Sequence, residues 1–395
     1  MASSRSRLAL NALNFFQAAV QTGFGPFVSI LLTQGGWSQT NIGLAFSIGT
    51  IGAMAGQVPI GLLLDRIRAK RTAAVVAMAL TGVSALVLVI APQPGPVFIS
   101  EAIHGVIGCV LGQSVASMTL ALVGREAFAE QIGVNARFAS AGAAFAASLL
   151  GLLSAEIPAN LVLLMTAAFT APAIAAIIGV RARDLDERNL APALGPGEGA
   201  PVHGAWRLLL REGLPAFAAC ALLFQLANAA MLQLALNELT LRAGRNPGLV
   251  IAGALIIPQL IVAAFSPLVG RSARRFGRRP LLILACVALP IRALVFASAP
   301  EPGVIVLVEV LDGVGAAVFG VMVPLVAADV SRRTGSMNLT IGLIGLSIGI
   351  GATLSTFVAG AIADTAGPGP AFVALAAAGG AATLLAWLIV PETKQ

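Results

Sequence analysis

Apolar residues in this chain come in runs of about twenty, over and over, separated by short polar connections. That repetition limits the fold more than any single motif does. With a window of roughly 19 residues, twelve runs stand out, at about 8–33, 40–63, 72–91, 97–123, 133–155, 159–180, 212–237, 247–269, 280–299, 303–327, 338–361 and 369–390. A helix needs roughly 20 mostly apolar residues to cross a bilayer. Helices dominate there because each backbone N–H and C=O must be satisfied inside the segment. A water-soluble domain could not hide the apolar surface of a chain that is 58% hydrophobic and 10% charged. The expectation is an all-α polytopic membrane protein with twelve transmembrane helices.

The net charge of +7 does not imply nucleic-acid binding, because its placement is topological. Arg5 and Arg7 precede the first run. Arg66, Arg68, Lys70 and Arg71 follow the second, and Arg181, Arg183, Arg188, Arg207 and Arg211 follow the sixth. Arg271, Arg274, Arg275, Arg278 and Arg279 follow the eighth, and Arg332 and Arg333 the tenth. Only Arg242 and Arg245 lie on the other side. The positive-inside rule then puts both termini in the cytoplasm. Met1 to Arg7 is short and basic, and the run behind it is long enough to span, so no cleavable signal is expected. Cys109, Cys220 and Cys286 lie alone within apolar runs and read as small buried hydrophobes, not as a metal or redox motif.

The long connection 181–211 is rich in charge, Pro and Gly. It divides the chain into residues 1–180, a cytoplasmic linker 181–211, and residues 212–395. Trp206 to Arg211 would form a short interfacial amphipathic segment, and His203 is read as a linker residue. The two halves repeat. Asn14-x-x-Gln17-Ala-Ala matches Gln225-x-x-Asn228-Ala-Ala, 211 positions on. Glu101 and Gly105 match Glu309 and Gly313, 208 positions on. Duplicated halves are a common transporter architecture.

Ionisable side chains at membrane depth are costly and point to function. Five occur: Glu101, His104, Arg292, Glu309 and Asp312. Glu101 and His104 are spaced i, i+3 and share a helix face, and Glu309 and Asp312 repeat that spacing. Carboxylates beside an imidazole or beside each other suit proton exchange. Arg292 and Glu309 fall at similar depth, counted from the ends of their helices at 1.5 Å per residue. A salt bridge from Arg292 to Glu309 or Asp312 is therefore expected; it would make that carboxylate structural and leave Glu101 as the better proton carrier. Asn11, Asn14, Gln17 and Gln21 form a polar stripe on the first helix, answered by Gln225 and Asn228 on the seventh, with Gln113 on the fourth. Amides donate and accept, so these seven are candidate substrate-binding residues.

The segment GLLLDRIRAKR at 61–71, with its copy GRSARRFGRRP at 270–280, resembles the signature loop G-x-x-x-D-R-x-G-R-R of the major facilitator superfamily. Twelve runs, a central loop and the loop in both halves extend the resemblance over nearly the whole chain. Arg68 and Ala69 replace the usual Gly-Arg in the first copy, and Arg274 replaces the usual Asp in the second. The resemblance implies two pseudo-symmetric six-helix bundles, with helices 1, 4, 7 and 10 lining a cavity. It also implies a cytoplasmic latch at Asp65, with Arg66 and Arg125 as candidate partners; Glu126, Arg278 and Asp329 belong to the same gating layer. Helix 5 has Ala146 and Ala147 after Gly142 where the family's drug–proton antiporters carry a G-x-x-x-G-P motif.

The expectation is a secondary transporter working by alternating access, with protons as coupling ion, no other cofactor and no metal. It would act as a monomer in a bacterial inner membrane and export a small organic solute. Proton-coupled uptake is the alternative; a facilitative carrier or channel fits less well. No nucleophile motif or interfacial catalytic cluster suggests an enzyme.

Overall fold

The computed structural model describes residues 3–153, 157–186, 190, 210, 213–242, 248–298 and 301–393. Among these, all regular structure is helical. The helices are α1 (Ser4–Gln34), α2 (Gln39–Arg66), α3 (Lys70–Ile90), α4 (Pro94–Leu153), α5 (Ala159–Ala168) and α6 (Thr170–Gly179). After the connection come α7 (Leu214–Asn228), α8 (Met231–Arg242), α9 (Gly248–Phe276), α10 (Arg279–Ala297), α11 (Pro302–Val330), α12 (Met337–Ala366) and α13 (Pro368–Leu388). The sixth span is α5 with α6, and the seventh is α7 with α8. Pro172, three residues past the break at Phe169, lacks the N–H that would bond across it.

Eleven segments among the described residues are long and apolar enough to cross a membrane. One of them, α4, has 60 residues. At 1.5 Å per residue that is about 90 Å of helix, enough for two crossings of a core roughly 30 Å thick. The chain turns at Gly124, whose φ of 72° and ψ of 172° lie outside the helical region. That backbone geometry is open essentially only to glycine. The sequence pattern placed a loop between runs ending at 123 and starting at 133; the structure has helix there instead. Arg125, Glu126, Ala127, Ala129, Glu130 and Gln131 are good helix formers, so the helix continues through its polar stretch and only Gly124 interrupts it. Twelve spans result.

The chain divides into two compact units, residues 1–199 with 332–342, and residues 200–331 with 343–395. The sequence-derived linker 181–211 and its amphipathic segment lie mostly outside the described residues. Within the first unit, Leu10, Leu13, Val20, Leu88, Leu111 and Leu150 are buried in one apolar cluster. Ile90, Leu152 and Phe357 stand exposed, as side chains facing lipid would.

Packing in the two units follows one pattern. A Cβ at Gly105 would strike the carbonyl of Gly49, and one at Gly313 would meet the carbonyl of Pro258. These contact pairs lie 208 and 209 positions apart, so the repeat read from sequence is also a repeat of helix packing. Gly142 meets the backbone of Phe15 in the same way, and Gly351 that of Leu222. Small residues permit such close approach, which drives helix association in lipid.

The amino-terminal turn is tied down. Ser3 caps α1, and the hydroxyls of Ser3 and Ser6 donate to Asp184 at 2.5 and 2.6 Å. The bond from Ser3, then that from Ser6, holds the half-buried Asp184 carboxyl below its usual range.

Two outcomes are expected. Gly142→Ala and Gly105→Ala should each overpack their contacts and cost about 1–3 kcal/mol, read as a lower unfolding midpoint of the purified protein. Because the folded Asp184 carboxyl titrates below its unfolded value, its tether is complete at neutral pH and is lost as pH falls through that lowered value. A spin label at Ser4→Cys should gain mobility over that acid range, and should be mobile at all pH in Asp184→Ala.

Candidate functional site

Arg292 is the largest fully buried side chain among the described residues, and three polar groups surround it in the second unit. Its Nη2 donates to Glu309 Oε1 and Oε2 at 2.8 and 3.0 Å, and Nε reaches Oε1 at 3.3 Å. Its Nη1 donates to Asp312 Oδ1 at 2.8 Å and to Asn228 Oδ1 at 2.6 Å. The Phe296 ring centroid lies 5.5 Å from the guanidinium carbon. The expected bridge from Arg292 is thus present to both carboxylates. Glu309 is fully buried, while the Asp312 side chain keeps 19% of its surface exposed. A planar guanidinium matches a carboxylate with two parallel bonds, and a buried charge requires such pairing.

The first unit holds the matching face in a different state. Glu101 is 5% exposed, and its Oε1 is buried without a hydrogen-bond partner among the described residues. Nδ1 of His104 and Oε1 of Gln17 are in the same condition. His104 does not bond Glu101; its ring stacks on Phe24 with centroids 3.8 Å apart. The exchange pair expected from the i, i+3 spacing is therefore not a direct hydrogen bond. The stack on α1 turns the imidazole face onto Phe24.

A cavity of about 370 Å³ opens beside these groups. Gln21 and Phe24 of α1, Phe46, Thr50 and Gln57 of α2, and Glu101, His104 and Cys109 of α4 help line it. Its volume lies within the range of small-molecule sites.

The other amides divide. Asn14 donates to the Leu10 carbonyl, one turn back, and Asn11 accepts from Gln131. Gln113 donates to the Gln57 carbonyl. Asn228 is held by Arg292, and Gln225 is half-buried on α7. Of the polar stripe on α1, Gln21 is the member that lines the cavity. Phe24, Phe46 and Gln57 were not singled out from sequence. Gln57 stands one residue after a glycine in an apolar run, and that lone amide was the available signal.

Asp65 ends α2 and caps the first turn of α12. Its Oδ1 accepts from the Asn338 backbone and side-chain amides at 2.9 and 2.8 Å, and Oδ2 from the Leu339 N–H at 2.9 Å. Ser117 in turn donates to Asn338 Oδ1 at 2.7 Å. An acidic group at a helix N-terminus satisfies otherwise unpaired N–H groups. These bonds come from Asn338 and Leu339 rather than from Arg66 or Arg125, the partners suggested by sequence. Arg66 and Glu126 are exposed and Arg125 is half-buried. In the second unit Arg278 pairs with Asp329 at 2.9 Å. Cys220 and Cys286, far apart in sequence, lie with sulfurs 3.9 Å apart, beyond the roughly 2.05 Å of a disulfide. Among the described residues no group of metal-binding side chains forms.

Two six-span units with buried charges at membrane depth are the architecture of a membrane transporter. The family model of the Major Facilitator Superfamily matches residues 10–337 and 247–395, and the chain belongs to that superfamily. It is 34% identical over 390 residues to an uncharacterised MFS-type transporter of Mycobacterium tuberculosis H37Rv, covering 98% of this chain and 93% of the relative. A class G tetracycline resistance protein of Vibrio anguillarum is 29% identical over 144 residues, 36% of each chain. Among solved structures, the E. coli fucose:proton symporter FucP superposes with a TM-score of 0.75 at 16% identity over 98% of both chains. The human organic anion transporter MFSD10 does so with a TM-score of 0.73 at 15% identity over 97% of this chain and 99% of that one.

Removing Arg292 would strand two buried carboxylates. Arg292→Met should destabilise the protein by about 3–5 kcal/mol. Adding Glu309→Gln and Asp312→Asn should recover most of that loss, as measured by unfolding in detergent.

Proposed function

We propose that this protein is a proton-coupled exporter of a small organic solute in the bacterial cytoplasmic membrane, acting as a monomer with both termini in the cytoplasm. The observation that carries the reading is the contrast between Glu101 and Glu309. Arg292 neutralises Glu309 in place, whereas Glu101 meets a cavity with one oxygen buried and unpartnered. A carboxylate of that kind can exchange a proton, and the solute competes with the proton or follows it.

The motion is alternating access: the two units change which side of the membrane reaches the site. Proton and solute shift that equilibrium only as far as they bind one state better than the other. Asp65, holding the first turn of α12 through Asn338 and Leu339, acts as a cytoplasmic latch. The Arg278–Asp329 pair belongs to the same layer. Arg292, Glu309 and Asp312 keep the second unit in register, with Asp312 the more exposed of the two carboxylates. Export is favoured by the partial similarity to a tetracycline resistance protein, and proton coupling by the fold shared with a fucose:proton symporter.

The test is growth of a bacterium stripped of its own efflux pumps on a panel of toxic compounds. Wild type should give several-fold resistance to one compound class, and Glu101→Gln, at matched expression, should abolish it. No protection against any compound would overturn export, and new sensitivity would mark uptake.

A further inference from the structure

The two units present the same four positions with different contents. Asn228, Arg292, Glu309 and Asp312 lie 211, 208, 208 and 208 positions after Gln17, Ser84, Glu101 and His104. The equivalence is also spatial. Arg292 reaches from α10 to α11 at Glu309. Ser84 reaches from α3 to α4 at Ser100, the neighbour of Glu101, through a hydroxyl contact of 2.5 Å. In the second unit the guanidinium satisfies two carboxylates and an amide. In the first unit a serine stands where that cation would be, and the polar atoms buried without partners among the described residues include those of Gln17, Glu101 and His104, beside Gln113 Oε1 and Ser114 Oγ further along α4.

We propose that the cavity at Glu101 binds the ammonium or guanidinium group of an organic monocation, with the ligand supplying the charge that Arg292 supplies in the other unit. The inference rests on Glu101 being the exchanging group of the proposed transport cycle, and it names the cargo. Charge fixes the valence. His104 replaces the second carboxylate, so one negative group meets the ligand, where two meet Arg292. No Lys or Arg among the described residues lines the cavity, so no fixed positive charge there favours an anion. Phe24 and Phe46 offer rings beside the carboxylate, as Phe296 does beside Arg292, and ring faces attract cations. Gln21 and Gln57 offer amide oxygens to the remaining N–H groups.

Proton and cation compete for one carboxylate, so cation binding weakens at acid pH. The titratable neighbours of Glu101 around the cavity are His104 and Cys109 on its own helix; α1 and α2 contribute none to the lining, and α3 brings Ser84.

Equilibrium titration calorimetry of the full-length protein in detergent, without any proton gradient, tests this. Phenylguanidine and phenethylamine are the cationic probes, and phenylurea is the neutral isostere of the first. Both cations should bind at least about tenfold tighter than phenylurea, a difference of about 1.4 kcal/mol, and should weaken as pH falls. Glu101→Gln should remove that preference. Ser84→Arg should also remove it, by installing an internal cation; Glu101→Gln keeps the test decisive if that variant does not fold. Equal binding of phenylurea, no cation binding at millimolar probe, or cation binding unchanged in Glu101→Gln would each overturn the proposal. Proton-driven transport of a neutral solute that depends on Glu101 would overturn this inference and leave the transport reading standing. Cation binding without any proton-driven movement would do the reverse.

Discussion

Lipid offers no hydrogen bonds, and everything else in this structure follows from that. Each backbone group must find its partner within its own helix, so the described chain has helices and short turns and nothing else. Each buried charge must find a partner too. Arg292 meets that demand with two carboxylates, an amide and a ring face within one cluster. Lipid also removes the ordinary hydrophobic drive between helices, which leaves close contact as the adhesive. The glycines that touch neighbouring backbones, Gly105, Gly142, Gly313 and Gly351, are where that contact is made.

Against this background one carboxylate stands apart. Glu101 obeys the spacing of its counterpart Glu309 and occupies the matching position on the matching helix, yet a neutral serine, Ser84, stands at the position of the countercharge. A duplicated fold allows this division of labour. One copy keeps its ion cluster closed. The other keeps the same geometry with the cation removed, and an incompletely satisfied site of that kind is what binding from solution requires.

Much of this was legible in the sequence because it depends on period and sign. Run length announced the spans, and the offset of 208 positions tied Glu101 to Glu309. The Arg292 bridge followed from counting turns along two helices. Rotamer choice did not show: nothing in the i, i+3 spacing says that His104 would stack on Phe24 and leave Glu101 alone. Nor did the bonds across the first unit show. Asn11 with Gln131, and Asp65 with Asn338, join residues more than a hundred positions apart, where no local period reaches. The helical stretch after Gly124 was hidden because charge was read as loop, although those residue types favour helix.

Gly124 also has a mechanical meaning. The fourth and fifth spans meet at a single residue rather than through a slack connector. Two backbone torsions carry all the articulation between them. The segment bearing Glu101 and the segment where Gly142 presses against α1 are the two arms on either side of it. The pair moves as a bell-crank, a lever with one pivot, and stiffness at that pivot sets how faithfully an event at the carboxylate is felt on the far arm.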